Sequence, residues 1–182
     1  MRYRSEQTIC AISTPPGVGG IAVIRVSGLK ALEITTKIAP ALSKKKIRSH
    51  TVHFVKLQDL KNEIIDEVIV TFFEKGKSFT GEEVVEISCH GSEYISEKIL
   101  DMLIDSGAAL AEKGEFTFRA FMNNRLDLVQ AESVLSLIQS QNQTSPKRRP
   151  EAALKQRVQK LDFGFELMTA QIPPEQDPSG YS

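Results

Sequence analysis

The chain has 182 residues, of which 23 are Lys or Arg and 23 are Asp or Glu, so its formal net charge is zero. This balance argues against a free-standing nucleic-acid-binding protein, which needs a strongly basic surface to neutralise phosphates. A hydrophobic content of 41% argues against global disorder, and a count of only two cysteines argues against a disulfide-stabilised fold. No apolar run is long enough to cross a bilayer, which argues against a membrane protein. A cytoplasmic location is therefore expected.

Strands dominate the first half of the chain. Apolar runs bounded by turn residues predict four of them, at 9–12, 21–26, 51–57 and 64–73. A helix is predicted between the second and third strands, over 29–38, and it ends near Pro40. The third and fourth strands are separated by a short polar turn, which predicts an antiparallel hairpin.

The second half begins with a strand at 84–89 and continues with a helix at 92–106, where apolar residues recur at helical spacing. Residues 111–124 have the composition of a loop. A helix is predicted from Asp127 to about Ser140, because Asp127 and Gln130 can form a capping box. Since strands and helices do not alternate as βα units, the pattern predicts an α+β fold with a mixed sheet.

Helical character continues toward the C-terminus. An apolar stripe at three-and-four spacing over 154–172 predicts a helix that needs a partner surface, and Pro173-Pro174 ends it. The predicted organisation is therefore a first domain over 1–121, the start of a helical domain or arm over 122–174, and a tail over 175–182 without fixed structure.

Two charged side chains occupy unexpected positions in the predicted strands. Arg25 shares a strand face with Ile21 and Val23, and Glu86 shares one with Val84. A desolvated charge costs several kcal/mol unless it is paired. Two interpretations follow: the charges lie near an edge or pair with each other, or they line a pocket whose ligand supplies the missing partners.

The chemistry of these two groups suggests which ligand could fit. A carboxylate can accept two parallel N–H bonds from a 2-amino-pyrimidinone edge such as that of a pterin, and a guanidinium can bind a ligand carboxylate. A pocket holding both groups would suit a folate. Residues 114–125 crowd three phenylalanines and two arginines together, which indicates either a hydrophobic plug with exposed arginines or the wall of a pocket for a flat heterocycle.

Other motifs do not indicate catalysis. The segment Gly76-Lys77-Ser78 lacks the glycine that a P-loop places five residues earlier, because Thr71 stands there. Neighbouring strand residues point to opposite faces, so Cys89 and His90 are not expected to form a thiolate–imidazole pair. No catalytic residue and no metal site are predicted.

Three longer segments resemble the MnmE (TrmE) family of tRNA modification GTPases. They are the Thr-Pro-Pro-Gly turn with the strand after it (14–28), the Ser-Phe-Thr-Gly-Glu-Glu to Cys-His-Gly segment (78–91), and the segment from Gly-Glu-Phe-Thr to Gln-Ala-Glu (114–132). Their order and spacing match the family, and the resemblance covers roughly residues 8–144.

The resemblance implies an N-terminal α+β domain similar to the tetrahydrofolate-binding domain of the glycine-cleavage T-protein. In this family it forms a homodimer, binds 5-formyltetrahydrofolate and precedes a helical domain that a GTPase domain interrupts. With an FAD-dependent MnmG-type partner, the family modifies the wobble uridine of certain tRNAs. The family's folate contacts fall on Arg25, Glu86 and Arg125, with Glu86 at the pterin and both arginines nearer the carboxylate tail.

The sequence also departs from the family pattern. From Ser145 onward it drifts away, and the Walker motif and the GTPase domain, which would bring potassium and magnesium, are not among the 182 residues. A fragment, a truncated product or a shifted reading frame is therefore expected, without GTP hydrolysis. Two alternative functions stay open, a stand-alone one-carbon folate transferase and a dimerisation scaffold with a vestigial pocket.

Overall fold

A computed structural model gives the structure of the protein and describes residues 6–44 and 46–140. These residues lie within one compact unit, which spans Met1–Gln141. The predicted helix over 154–172 and the tail over 175–182 lie outside the described residues, and the boundary at 121/122 stays a prediction. In chain order the elements are β1 (Ile9–Ile12), β2 (Ile21–Ser27), α1 (Ala31–Ile38), a 3-10 helix (Pro40–Lys44), β3 (Thr51–Gln58), β4 (Ile64–Phe73), β5 (Val84–His90), α2 (Glu93–Asp105), β6 (Ala109–Leu110), α3 (Glu115–Met122) and α4 (Leu128–Ser140).

The strands form one six-stranded mixed sheet in the order β3-β4-β5-β2-β1-β6. All neighbours are antiparallel except β1 and β6, which are parallel. The predicted α+β class and the predicted hairpin of β3 and β4 are both confirmed. Among the described residues, no helix is long and apolar enough to cross a bilayer.

One face of the sheet carries the hydrophobic core. Alternate side chains of β2, β4 and β5 meet the apolar sides of α1 and α2 there, among them Ile24, Val70, Ile87, Ile34 and Leu103. Within the described residues, the opposite face, which we call the open face, has no such helical layer over most of its area. Ile21 on β2 is 66% exposed on that side.

The two sides of β2 have different surroundings. The sequence places Arg25 with Ile21 and Val23 on one apolar side of this strand. In the structure that face is the open one, and the buried side of β2 is formed by Ala22, Ile24 and Val26. Because both sides of β2 are apolar in sequence, the alternation alone does not reveal which side faces the core.

Local signals place the later helices well, with one exception. The capping box of α4 is confirmed, since the Gln130 backbone N–H donates to Asp127 Oδ1 at 2.7 Å and the Asp127 N–H donates to Gln130 Oε1 at 3.0 Å. The loop predicted over 111–124 is wrong for most of its length, because α3 occupies Glu115–Met122. Gly114, with a φ of 80°, turns the chain into this helix.

Candidate functional site

Arg25 and Glu86 lie opposite each other on β2 and β5, on the open face. Arg25 donates to Glu86 Oε1 through Nη2 at 2.6 Å and through Nε at 2.9 Å. Each side chain is 27% exposed. Within the described residues, Glu86 Oε2 and Arg25 Nη1 make no hydrogen bond. The pairing considered from the sequence is therefore present, and the pair keeps polar atoms available to a ligand.

Two aromatic rings flank the guanidinium of Arg25. Its Cζ lies 5.9 Å from the ring centroid of Phe79 and 5.8 Å from that of Phe116. These distances fall within the range of cation–π contacts. Phe79 comes from the loop between β4 and β5, and Phe116 comes from the first turn of α3, so two separate elements build the surroundings of the pair.

A buried ionic network fixes α3 against the β4–β5 loop. Arg119 is completely buried and donates through Nη1 to both carboxylate oxygens of Glu82, at 3.1 and 3.2 Å. It also donates through Nη2 to Glu115 Oε1 at 2.9 Å. Because an unpaired buried charge is costly, these bonds hold the two elements together. The network thereby sets the positions of Phe79 and Phe116. Of the two interpretations of 114–125, the one with exposed arginines does not hold for Arg119, which is buried.

Buried hydroxyls extend this network to the sheet. Ser27 Oγ, at the end of β2, donates to Glu82 Oε2 at 2.7 Å and lies 2.7 Å from Thr80 Oγ1. Asn123, just after α3, donates to the backbone oxygen of Thr80 at 2.8 Å. The Ser-Phe-Thr-Gly-Glu-Glu segment is thus a structured loop whose polar side chains are satisfied internally.

Arg125, the third residue that the resemblance selected, is exposed and lies against the same loop. A Cβ added at Gly81 would be 3.0 Å from Arg125 Cγ, so only glycine allows this close approach without a shift. The Arg125 backbone N–H donates to Ala120 O at 2.8 Å. Its guanidinium has no ion pair within the described part of the chain, which leaves its charge available.

The cysteines and His90 do not join this cluster. Cys89 is buried on the core side of β5, whereas the His90 side chain is 69% exposed and bonds Asp66 Oδ1 through Nδ1 at 2.7 Å. Burial raises the pKa of the Cys10 thiol to about 11 and also raises that of Cys89. Both thiols are therefore protonated at neutral pH, which is typical of structural cysteines.

The arrangement is suited to recognition of a flat polar ring. A carboxylate with one free oxygen, a guanidinium and two aromatic faces converge at one place on the open face. Sequence reasoning selected the three charged residues but did not single out Arg119 and Glu82. The sequence signals for these two were their charge within otherwise apolar or loop-like segments and their place in the family motifs over 78–91 and 114–132.

Comparison with known proteins is consistent with these motifs. Residues 8–125 match the family model described as the N-terminus of the GTP-binding protein TrmE. The chain belongs to this family. The match includes all three predicted site residues, and the resemblance inferred from the sequence motifs is confirmed.

Curated relatives carry the name tRNA modification GTPase MnmE. The protein from Bdellovibrio bacteriovorus is 59% identical over 145 residues, which cover 79% of this chain and 30% of that protein. The one from Acetivibrio thermocellus is 50% identical over 144 residues, covering 78% and 31%. The one from Fervidobacterium nodosum is 45% identical over 148 residues, covering 79% and 32%. The chain thus spans about 30% of the length of these relatives.

Proposed function

We propose that this chain is the folate-binding, homodimerising N-terminal part of a tRNA modification GTPase, and that its ligand is 5-formyltetrahydrofolate. The observation that carries the proposal is the Arg25–Glu86 pair, which lies partly exposed on the open face between Phe79 and Phe116. The hydrogen-bond donors and acceptors of this pair and the two aromatic rings beside it are the kinds of groups that can bind a pterin.

The contacts suggest how the ligand is oriented. Glu86 Oε2 is free to accept from the amino-pyrimidinone edge, and the phenylalanine rings can pack against the flat heterocycle. Because Arg25 touches Glu86, both must face the same end of the ligand. We therefore assign this pair to the pterin end and Arg125 to the carboxylate tail, which replaces the expectation that Arg25 lies nearer the tail.

Homodimerisation is supported by the apolar character of the open face. Ile21, Val52 and Ile69 project from three strands on this side, with exposures of 66%, 63% and 44%. Exposed apolar groups of this kind, on a sheet face that the described part of the chain leaves largely uncovered, are typical of an interface. A second copy of the chain would bury them.

The remaining parts of the proposal concern the longer protein. The relatives' name implies GTP hydrolysis and tRNA modification. We propose these activities for an assembly of this chain, a GTPase domain with its potassium and magnesium, and an FAD-dependent MnmG-type partner. The assembly would act on the wobble uridine of tRNA in the cytoplasm. For the described residues, the proposed task is to hold the folate that serves as the one-carbon source.

Calorimetric titration of 5-formyltetrahydrofolate tests the ligand. Wild type is expected to bind, Glu86→Ala is expected to lose binding, and Glu67→Ala is the control. Glu67 lies on neighbouring β4 and pairs with Lys56 at 3.2 Å, so its loss removes a carboxylate and an ion pair away from the site. Absence of binding by wild type would instead support a scaffold with a vestigial pocket, and one-carbon transfer to a small acceptor would support a stand-alone transferase.

Sedimentation equilibrium tests the dimer. Ile69→Asp places a charge in the middle of the open face and is expected to shift the protein toward the monomer. Leu60→Asp introduces the same side chain at a turn position that is 97% exposed, and it is expected to leave the dimer intact. Equal behaviour of the two variants would count against an interface on the open face.

A further inference from the structure

One stretch of this neutral chain carries a local excess of positive charge. Residues 34–58 contain six basic residues and no Asp or Glu, although the whole chain has 23 of each sign. The six are Lys37, Lys44, Lys45, Lys46, Arg48 and Lys56. Local charge of one sign on a neutral protein favours a partner of the opposite sign.

Three of these cations lie shortly before β3 in the chain. Lys44, Lys46 and Arg48 are exposed and form no ion pair within the described residues. Ile47, between two of them, packs against the hydrophobic core and anchors the segment. The remaining described cations are engaged, because Lys56 pairs with Glu67 and Lys37 donates to Ser106 O at 3.0 Å.

The strand that follows has an open backbone edge. β3 is the outermost strand on its side of the sheet and is eight residues long. Its outer side has no strand partner within the described residues, whereas the opposite edge of the sheet is the two-residue β6. An edge strand of this length offers backbone N–H and C=O groups along which another strand can pair.

An apolar groove runs beside this edge. It has a volume of about 330 Å³ and lies between the 3-10 helix and β3. Phe54, on β3, is 64% exposed at this groove. The lining residues are Pro40, Ala41, Phe54, Val55, Lys56 and Gln58. An added strand could place alternate side chains into the groove, because strand side chains alternate between two directions.

We propose that the outer edge of β3 binds an acidic, extended segment of a partner protein as an added strand, with Lys44, Lys46 and Arg48 holding its carboxylates. Backbone pairing supplies affinity and the cations supply selectivity. A nucleic acid could satisfy the charges, but it could not continue a ladder of peptide hydrogen bonds. Protection of the edge against aggregation does not explain the charges, because the three free cations precede the strand and the lysine on it is paired.

This inference goes beyond the proposed folate site and shares no residue with it. Loss of folate binding in Glu86→Ala leaves the β3 edge unchanged, and a change at Lys44 leaves the Arg25–Glu86 pair unchanged. Either proposal can therefore fail alone.

The test uses the full chain and a fluorescein-labelled peptide of alternating Glu and Val, with fluorescence anisotropy at low ionic strength. Reversal of the three cations, in Lys44→Glu/Lys46→Glu/Arg48→Glu, is expected to weaken binding at least about tenfold. The control Lys30→Glu/Lys75→Glu/Lys113→Glu makes the same change of net charge at three other exposed lysines, and we expect it to weaken binding less than about twofold.

A second probe tests the backbone pairing with wild-type protein, so it does not depend on how a variant folds. The same peptide with alternate backbone nitrogens methylated is expected to bind at least about tenfold more weakly, and the unmethylated peptide is expected to slow amide exchange in 51–58. Equal binding of the methylated peptide, tighter binding of an oligouridylate of the same charge, or equal effects of the two triple variants would overturn the proposal.

Discussion

Arg25 Nη2 lies 2.6 Å from Glu86 Oε1 across two antiparallel strands, on a sheet face that residues 6–44 and 46–140 leave largely uncovered. Ion pairs at the surface typically contribute about 0–1 kcal/mol to folding, and 27% of each side chain of this pair is exposed to solvent. The fold therefore gains little from placing these charges on an otherwise apolar strand face. Their value lies in the polar atoms that they present between two aromatic rings.

The buried network, in contrast, is predicted to be essential for stability. Replacing Arg119 with Met keeps much of the side-chain volume but leaves Glu82 and Glu115 without their cation. We expect Arg119→Met to lower the free energy of unfolding by about 3–5 kcal/mol, measured by urea denaturation with circular dichroism. Arg48→Met, at an exposed position, should change it by less than about 0.5 kcal/mol. Similar losses in both variants would show that Arg119 does not connect α3 to the loop.

Gly81 is predicted to be required for a close contact as well as for its backbone conformation. Its φ is +76°, and an added Cβ would meet Arg125 Cγ at 3.0 Å, whereas Gly76 has a φ of +83° and nothing within 4 Å. Gly81→Ala and Gly76→Ala should therefore share a strain cost of about 1 kcal/mol, and Gly81→Ala should additionally weaken folate binding by displacing Arg125. Thermal unfolding and calorimetry measure the two effects. Equal folate affinity in both variants would contradict the placement of Arg125 at the site.

The buried thiol of Cys10 predicts a loss of stability at alkaline pH. Its folded-state pKa of about 11 lies above the reference value of 9.0, so between these values the unfolded chain releases a proton that the folded protein retains. Stability from this group is complete below pH 9 and is lost as the pH rises toward 11. Cys10→Ala should therefore lose less stability over this range, by up to about 2–3 kcal/mol, in urea denaturation at each pH. An identical pH dependence in wild type and variant would contradict the burial.

Local signals made much of the fold predictable. The hairpin of β3 and β4 follows from two strand patterns joined by a short turn. The start of α4 follows from Asp127 and Gln130, which are only three residues apart. Features of this kind depend on neighbours in sequence and can be inferred from one chain.

Features that depend on distant residues could not be inferred in this way. Arg119 is buried because Glu82, 37 positions earlier in the chain, neutralises it, and α3 forms where the composition indicated a loop. The same limit applies to Arg25, whose strand is apolar on both faces. The sequence identified Arg25 and Glu86 as unusual, but only the sheet register places them in contact.

The most direct test compares ligand binding with folding stability in Glu86→Gln, which keeps the shape of the side chain and removes its charge. We predict that its affinity for 5-formyltetrahydrofolate falls at least about tenfold, because hydrogen bonds to a charged acceptor are lost. The free energy of unfolding should change by less than about 1 kcal/mol, because the pair is partly exposed. Wild-type affinity in Glu86→Gln, together with a large loss of stability, would contradict the account, because the pair would then serve the fold alone.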